Sequence, residues 1–175
     1  MSLERHHADA PRTVTVQVVT LSDTRDEVTD TSGRDIRTAL EAAGHAVRGP
    51  RIVREDPATL AGELRSLCSE PGTDAVIVNG GTGLAPRDLA FDVLRRLYSR
   101  PLPGFGELFR SLSYTEIGAA AMLSRASAGV VGDRIVFSIP GSRTAVRLAL
   151  EKLILPELAH CVGELRRSRA PEGRR

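Results

Sequence analysis

Residues 75–88 read AVIVNGGTGLAPRD, a short apolar run that stops at a loop rich in glycine. The first four residues are small and apolar, as in a strand that is buried on both faces of a sheet. The run ends at Asn79, and Gly80, Gly81, Thr82 and Gly83 follow it. A buried strand that ends on such a loop and leads into a helix is the repeating unit of α/β sheets.

Apolar runs alternate with helical patterns on both sides of this stretch. Regular spacing of apolar residues and the positions of Gly and Pro predict the boundaries. Before it we expect a strand over 13–21, a helix over 33–44, a weaker strand ending at Asp56 and a helix from Pro57. After it we expect a helix over 88–100, a break at PLPGFGE, one or two short helices in 108–123, two strands joined near Gly132-Asp133, and a helix over 143–165 bent at Pro156. This alternation predicts an α/β fold whose sheet is mostly parallel but mixed, with a late antiparallel hairpin.

Length and composition are those of one soluble globular domain, since 175 residues suffice for a sizeable core. We expect a disordered tail over 1–12, a single domain over 13–165 and a basic disordered tail over 166–175. Aromatic residues make up only 3% of the chain, which argues against stacking on single-stranded nucleic acid. No run has signal-peptide or membrane-span character, so we expect a cytoplasmic protein. Cys68 and Cys161 are far apart, and the four histidines lack metal-site spacing.

The glycine loop has the properties of a phosphate-binding loop. Glycines allow backbone N–H groups to approach a ligand closely, and the helix that starts near Asp88 adds the positive end of its dipole. The loop matches neither the GxxxxGK[ST] pattern nor GxGxxG. A tight turn without a ligand is the alternative interpretation. The same choice applies to SIPGSRTAV, residues 138–146, where Ser142 caps a helix that either receives an anion or is simply capped.

Acidic residues follow three of the predicted strands. Ser22-Asp23 comes after the first strand, Glu55-Asp56 after the second and Asp88 shortly after the third. Carboxylates gathered at one sheet edge repel each other unless a cation lies between them. Mg²⁺ suits such a site, because it is bound by one or two carboxylates together with substrate phosphates. A helix cap or a solvated charge is the alternative for each acid taken alone.

Five segments, in this order and spacing, resemble the MoaB and Mog proteins of molybdenum cofactor biosynthesis over about residues 13–160. The segments are TLSDTRDEVTDTSG, VNGGTGLAPRD, PLPGFGELFRSLSYTEIG, LSRASAGV and IPGSRTAV. The resemblance implies a three-layer α/β/α domain that assembles as a homo-trimer or a hexamer. It also implies molybdopterin adenylyltransferase activity, in which Mg²⁺-ATP and molybdopterin give adenylyl-molybdopterin and pyrophosphate.

The resemblance also implies roles for individual residues. Asp56 and Asp88 match the two acids of catalysis, which hold Mg²⁺ through the substrate phosphates. Residues matched to nucleotide binding are Gly80, Gly81, Thr82 and Gly83, and Arg87 is a further candidate to contact phosphate. Residues matched to the pterin side are Ser22, Asp23, Glu107, Pro140, Gly141 and Ser142.

Two departures from the adenylyltransferase pattern favour the MoaB-like branch. Ala90-Phe91 stand where transferase members commonly have Thr-Pro, and Thr31 stands where they often have lysine. Three functions remain open on the sequence: the transferase, a protein that binds molybdopterin or a nucleotide without turnover, and a nucleotide hydrolase with the same loop.

Overall fold

The computed structural model describes residues 10–167, which form a six-stranded sheet with helices on both faces. The strands are β1 (Thr15–Leu21), β2 (Ala46–Val53), β3 (Ala75–Asn79), β4 (Arg100–Pro101), β5 (Ser127–Val131) and β6 (Arg134–Ile139). Their order in the sheet is β2-β1-β3-β6-β5-β4. Neighbours among β2, β1, β3 and β6 are parallel, whereas β5 is antiparallel to both β6 and β4.

The helices form the two outer layers of a three-layer α/β/α domain, which confirms the expected fold. They are α1 (Thr31–Ala42), α2 (Leu60–Ser69), α3 (Ala90–Leu97), α4 (Pro103–Ile117), α5 (Arg143–Ala149) and α6 (Leu155–Arg167). A 3₁₀ segment, Gly118–Leu123, follows α4, and a π-helical segment, Leu150–Ile154, joins α5 to α6. Helices α1, α4, α5 and α6 pack on one face of the sheet, and α2 and α3 pack on the other.

The alternation of side chains along β1 explains why its sequence is almost continuously apolar. Val16 and Val18 point into the core beneath α1, α4 and α6, whereas Val19 and Leu21 point into the core beneath α2 and α3. All four side chains are at most 4% exposed. A strand in the middle of such a sheet is buried on both faces, so it shows no polar face in its sequence.

The predicted hairpin is present. Val131 pairs with Arg134 across a two-residue turn, and Gly132 at its first position has φ of 59°. A left-handed conformation at this position matches the right-handed twist of the flanking strands, and glycine adopts it without steric cost.

The break expected at PLPGFGE is wrong. Arg100–Pro101 pairs with β5, and α4 begins directly afterwards at Pro103, because proline lacks only an N–H that the first helical turn leaves unpaired anyway. Gly106 lies within α4, where a Cβ would stand 2.5 Å from the Ala126 carbonyl oxygen. The glycine is there for close helix–strand packing and does not interrupt the helix.

The bend expected at Pro156 is instead a widened turn just before it. The chain stays helical from α5 to α6, and residues Leu150–Ile154 form the π-helical segment between them. A proline ring clashes with the carbonyl one turn earlier, and a π-type turn gives that ring room. Within residues 10–167, no helix combines the length and the apolar character needed to cross a membrane. Most of the two predicted tails, residues 1–9 and 168–175, lies outside the described residues.

Candidate functional site

The parallel strands β2, β1, β3 and β6 all end at one edge of the sheet, and a cleft of about 460 Å³ opens there. The chain leaves β1 for β2 on one side and later returns to β3 on the other, so this edge is the topological switch point where open α/β sheets bind ligands. The volume lies in the range of roughly 300–1,000 Å³ that is usual for small-molecule sites. Polar and small residues predominate in the lining: Leu21, Ser22, Asp23, Thr24, Arg25, Glu55, Gly80, Gly81, Thr82, Gly83, Arg87, Asp88, Pro140 and Gly141.

The glycine loop lies between β3 and α3 and forms one wall of the cleft. Gly80 and Gly81 have φ of 106° and 66°, conformations that residues with side chains rarely adopt. The Gly80 N–H donates to the Ile139 carbonyl at 2.9 Å, which ties the loop to the end of β6. A Cβ on Gly80 would stand 2.7 Å from the Leu21 carbonyl oxygen, and one on Gly81 would overlap the Glu55 carboxylate. Glycine is therefore required at both positions, because φ is positive and because other atoms already lie where a Cβ would stand.

Glu55 is a half-buried acid that faces the cleft from the end of β2. Its carboxylate accepts a hydrogen bond of 2.8 Å from the Leu89 N–H. Burial is the main cause that raises the pKa of Glu55, and the negative charges of Asp88 and Asp23 raise it further. The Leu89 hydrogen bond and the positive charge of Arg87 oppose the shift. Charged groups from the ends of three strands thus interact at this edge of the sheet, as the sequence predicts. They are Asp23, Glu55, Arg87 and Asp88.

Asp88 lies at the end of the glycine loop and lines the cleft. Its Oδ2 accepts from the Ala85 N–H at 2.9 Å, and its own N–H donates to the Ala85 carbonyl at 2.8 Å. This pair of bonds closes a tight turn that presents the carboxylate beside Gly83. The helix expected to start near Asp88 starts at Ala90, so Asp88 belongs to the loop.

Asp56 does not lie among the residues that line the cleft. Its carboxylate accepts from the Ala58 N–H at 2.9 Å and from the Thr59 hydroxyl at 3.2 Å, in the turn before α2. The side chain is exposed and satisfies the backbone of this turn, as Asp commonly does before a helix. The predicted pair Asp56 and Asp88 is thus not brought together in the cleft, and Glu55, one residue earlier, faces Asp88 instead.

The residues predicted for the pterin side are divided between two places. Ser22, Asp23, Pro140 and Gly141 line the cleft. Ser142 is exposed at its rim, where its hydroxyl accepts from the Ala145 N–H at 3.3 Å and caps α5.

Glu107 lies outside the cleft altogether. It lines a separate groove between α3 and α4, together with residues such as Phe91, Tyr98 and Arg125. Glu107 is therefore not among the residues that line the cleft beside the glycine loop.

Arg25 is a residue of the cleft that the sequence pattern did not single out. Its guanidinium donates to the buried Asp30 carboxylate at 3.5 Å, to the Ser32 hydroxyl and to the Gly141 carbonyl at 3.4 Å. The Ser22 hydroxyl accepts from the Arg25 N–H at 3.0 Å, which fixes the loop after β1. The segment TLSDTRDEVTDTSG showed a polar loop, but nothing in it showed that this arginine folds back over the carboxyl edge.

The cleft suits a divalent cation that is shared with a ligand. Glu55 and Asp88 supply two carboxylates. Burial raises the pKa of Glu55 most, the negative charges of Asp88 and Asp23 raise it further, and a cation between the carboxylates would offset this repulsion. Among residues 10–167, no group of three or more His, Cys, Asp or Glu side chains could enclose a metal alone. Mg²⁺ fits this donor set, because it usually takes one or two carboxylates and completes its shell with water and phosphate oxygens.

Comparison with known proteins places this chain in a family. Residues 15–160 match the family model described as "Probable molybdopterin binding domain". The molybdenum cofactor biosynthesis protein B of Bacillus subtilis (strain 168) is 49% identical over 170 residues, which are 97% of this chain and all of that protein.

Solved structures agree with this assignment. A crystal structure of a molybdenum cofactor biosynthesis protein B superposes with a TM-score of 0.86 at 46% identity and covers 90% of this chain and 99% of that one. The tungsten cofactor synthesizing protein MoaB from Pyrococcus furiosus gives 0.76 at 37% identity, with 90% and 99% covered. The chain therefore belongs to the MoaB branch of the molybdenum cofactor biosynthesis family.

Proposed function

We propose that this protein is a molybdopterin adenylyltransferase that acts in molybdenum cofactor biosynthesis. The relatives named above are called molybdenum or tungsten cofactor biosynthesis proteins, which supports the pathway. One observation supports the reaction: a glycine loop and two acids, Glu55 and Asp88, line the same cleft at the carboxyl edge of the sheet. This is the arrangement expected of a site for a nucleotide with a bound cation.

The glycine loop is the proposed nucleotide site. Gly80, Gly81, Thr82 and Gly83 all line the cleft, so their backbone lies where the phosphates of a nucleotide would bind. Arg87 is exposed at the mouth of the cleft and adds positive charge beside the loop. The proposed position of molybdopterin is the other side, against Ser22, Asp23, Pro140 and Gly141.

Glu55 and Asp88 are the residues that would hold Mg²⁺. When bound, Mg²⁺ supplies positive charge to the phosphates of the nucleotide. The Leu89 N–H orients the Glu55 carboxylate, and the Ala85 N–H orients that of Asp88, so both acids are fixed before a ligand arrives. We assign to Glu55 the role that the sequence resemblance gave to Asp56.

The proposed reaction needs no protein nucleophile. An oxygen of molybdopterin forms a bond to the α-phosphorus of ATP, the bond from that phosphorus to the bridging oxygen breaks, and pyrophosphate leaves with the electron pair. Such transfer depends on positioning and on electrostatic stabilisation. Neither cysteine lines the cleft, and burial raises the pKa of Cys161 to about 11 and that of Cys68 still higher, so both thiols stay protonated.

We also propose that the protein forms a homo-trimer or a hexamer and works in the cytoplasm. Large apolar side chains are more than 40% exposed on and around α4 and the 3₁₀ segment, which supports an interface there. They are Leu102, Leu108, Tyr114, Ile117, Met122 and Leu123. Light scattering of the purified protein tests this assembly, and a monomer at micromolar concentration would contradict it.

Product formation tests the function. Purified protein is incubated with molybdopterin, Mg²⁺ and ATP, and adenylyl-molybdopterin and pyrophosphate are measured. We expect both products in equal amounts, and none without Mg²⁺. Absence of product while a known adenylyltransferase is active under the same conditions would contradict the proposal.

Binding without turnover is the second candidate function. Ala90 and Phe91 replace the Thr-Pro pair of transferase members. Both contact groups that hold the loop: the Ala90 N–H donates to the Gly81 carbonyl at 3.1 Å, and the Phe91 ring packs against Arg125. Under this candidate, molybdopterin binds to wild type and to Asp88→Asn alike and ATP is not consumed. Consumption of ATP that depends on molybdopterin would exclude it.

A further inference from the structure

We propose that Arg125 is a positioning residue that holds the glycine loop in its ligand-binding conformation. This proposal depends on the function proposed above in one respect only, which is the identity of the ligand that the loop binds. Arg125 lines the groove behind the loop, outside the cleft, and its side chain is 20% exposed. It acts through the backbone of the loop and does not face the proposed substrates.

Three nitrogens of the Arg125 side chain bond to three different oxygens. Nε donates to the Thr82 carbonyl at 3.4 Å, Nη2 to the Asp88 carbonyl at 2.7 Å and Nη1 to the Asp92 carboxylate at 2.7 Å. The Arg125 backbone N–H also donates to the Thr82 carbonyl, at 3.3 Å. One planar guanidinium group thus joins Thr82 and Asp88, in the segment between β3 and α3, to Asp92 in the first turn of α3.

The groove holds the guanidinium in this orientation. Its carbon lies 5.2 Å from the centre of the Phe91 ring, a cation–π contact. Phe91 is one of the three residues, with Ala90 and Thr31, at which this chain departs from the transferase pattern. The Phe91 ring and the Asp92 carboxylate already restrict the Arg125 guanidinium. It therefore loses less conformational freedom on bonding to the loop than an unrestricted arginine side chain would.

The loop needs such support because of its composition. Glycine has the largest backbone freedom of any residue, and Gly80, Gly81 and Gly83 would lose it when a ligand binds. The bond from Ala90 to Gly81 closes the two ends of the segment 82–89. Arg125 adds bonds at Thr82 and at Asp88, the residue that presents a carboxylate to the cleft. Holding both carbonyls orders the loop before the ligand arrives, which favours binding.

Amide hydrogen exchange of Arg125→Lys tests the proposal without relying on the reaction. Lysine keeps the charge but cannot bond to three oxygens at once. We expect exchange at residues 82–89 to be about tenfold faster or more, while the amides of β1 and β3 are unchanged. Arg95→Lys is the matched control, since Arg95 is an exposed arginine that lines the same groove. Unchanged exchange at 82–89 would overturn the proposal.

Titration with Mg²⁺ and ATP separates this inference from the proposed function. We expect the Kd of Arg125→Lys to rise about tenfold, and that of Arg95→Lys to equal wild type. Faster exchange with an unchanged Kd would overturn the positioning role. If wild type fails to bind Mg²⁺-ATP while the exchange result holds, the proposed function fails and the structural role of Arg125 stands.

Phe91→Leu covers the case in which Arg125→Lys does not fold. Leucine fills much of the space but removes the aromatic face, so all three bonds to oxygen remain possible. We expect the same changes in exchange and in Kd at a smaller size, about twofold to threefold. Exchange equal to wild type in Phe91→Leu would contradict the role assigned to the ring.

Discussion

The Glu55 carboxylate accepts a 2.8 Å hydrogen bond from the Leu89 N–H, so the end of β2 is joined to the residue that precedes α3. Strand β1 lies between β2 and β3 in the sheet, so this bond joins the segments that follow two strands which are not neighbours. It orients Glu55 toward the glycine loop and toward Asp88. The relationship explains why an acid that the sequence resemblance passed over occupies the cleft.

The raised pKa of Glu55 predicts a specific pH dependence of stability. Because this pKa lies above its ordinary value of 4.5, the folded protein binds the proton more tightly than the unfolded chain does. The stabilising contribution of the protonated group is complete below pH 4.5 and is lost as the pH rises through the folded-state pKa. We expect Glu55→Gln, which does not titrate, to gain stability relative to wild type over this rise, as measured by urea unfolding at several pH values.

Two aspartate variants serve as controls for this pH dependence. Asp88→Asn removes a negative charge that raises the Glu55 pKa, so NMR titration should give a lower pKa in this variant. Asp56→Asn should leave that pKa unchanged, because Asp56 is not among the groups that shift it. A stability difference between Glu55→Gln and wild type that is constant with pH would refute the account.

Gly81→Ala should impair nucleotide binding more than it impairs folding. The added Cβ would overlap the Glu55 carboxylate and would approach the Ala90 Cβ to 3.0 Å. The positive φ costs about 1–2 kcal/mol for any residue with a side chain, and displacement of Glu55 adds a loss of affinity. Gly44→Ala is the matched control, since Gly44 has φ of 85° and nothing within 4 Å of its Cβ position. Calorimetric titration with Mg²⁺-ATP should show a weaker Kd for Gly81→Ala alone, and equal affinities would count against the close packing described.

Loss of the buried Asp30 side chain should destabilise the folded protein. It is fully buried and accepts from the Thr20 hydroxyl at 2.7 Å, from the Gly33 N–H at 3.0 Å and from Arg25. Asp30→Ala removes a helix cap and leaves buried donors unpaired, so we expect a loss of about 2–4 kcal/mol. Thermal or urea unfolding measures this change.

Asp35→Ala is the comparison for Asp30. Asp35 bonds to Arg143 at 2.6 Å, but both side chains are exposed. A surface pair contributes at most about 1 kcal/mol, so this variant should unfold close to wild type. Equal losses for the two variants would contradict the structural role given to the buried Asp30.

The sequence predicts the layers and the edge at which the cleft forms, but it does not predict which side chains enter the cleft. The glycine loop and Asp88 follow a clearly buried strand, so their place was predictable. Glu55 and Asp56 are adjacent, and their spacing does not show which faces the cleft. That choice depends on two local contacts: Asp56 caps the turn before α2, and Glu55 meets the Leu89 N–H.

Arg125 shows a second limit of the sequence. It is far along the chain from the glycine loop, and its bonds to Thr82 and Asp88 depend on how β5 and α3 pack. No pattern of apolar residues or glycines indicates that contact. The break predicted at PLPGFGE is wrong for a related reason, because the glycine and proline residues of α4 serve packing against Ala126 and the helix start.

The measurement that tests the central claim most directly is the adenylyl transfer rate of Glu55→Gln beside that of Asp56→Asn. Asparagine keeps the carbonyl oxygen that caps the turn before α2, so the second variant preserves local structure. With saturating molybdopterin, ATP and Mg²⁺, we expect Glu55→Gln to lose roughly a hundredfold or more in kcat, from the size of single electrostatic contributions, and Asp56→Asn to match wild type. Loss of turnover in Asp56→Asn with full activity in Glu55→Gln would contradict the account.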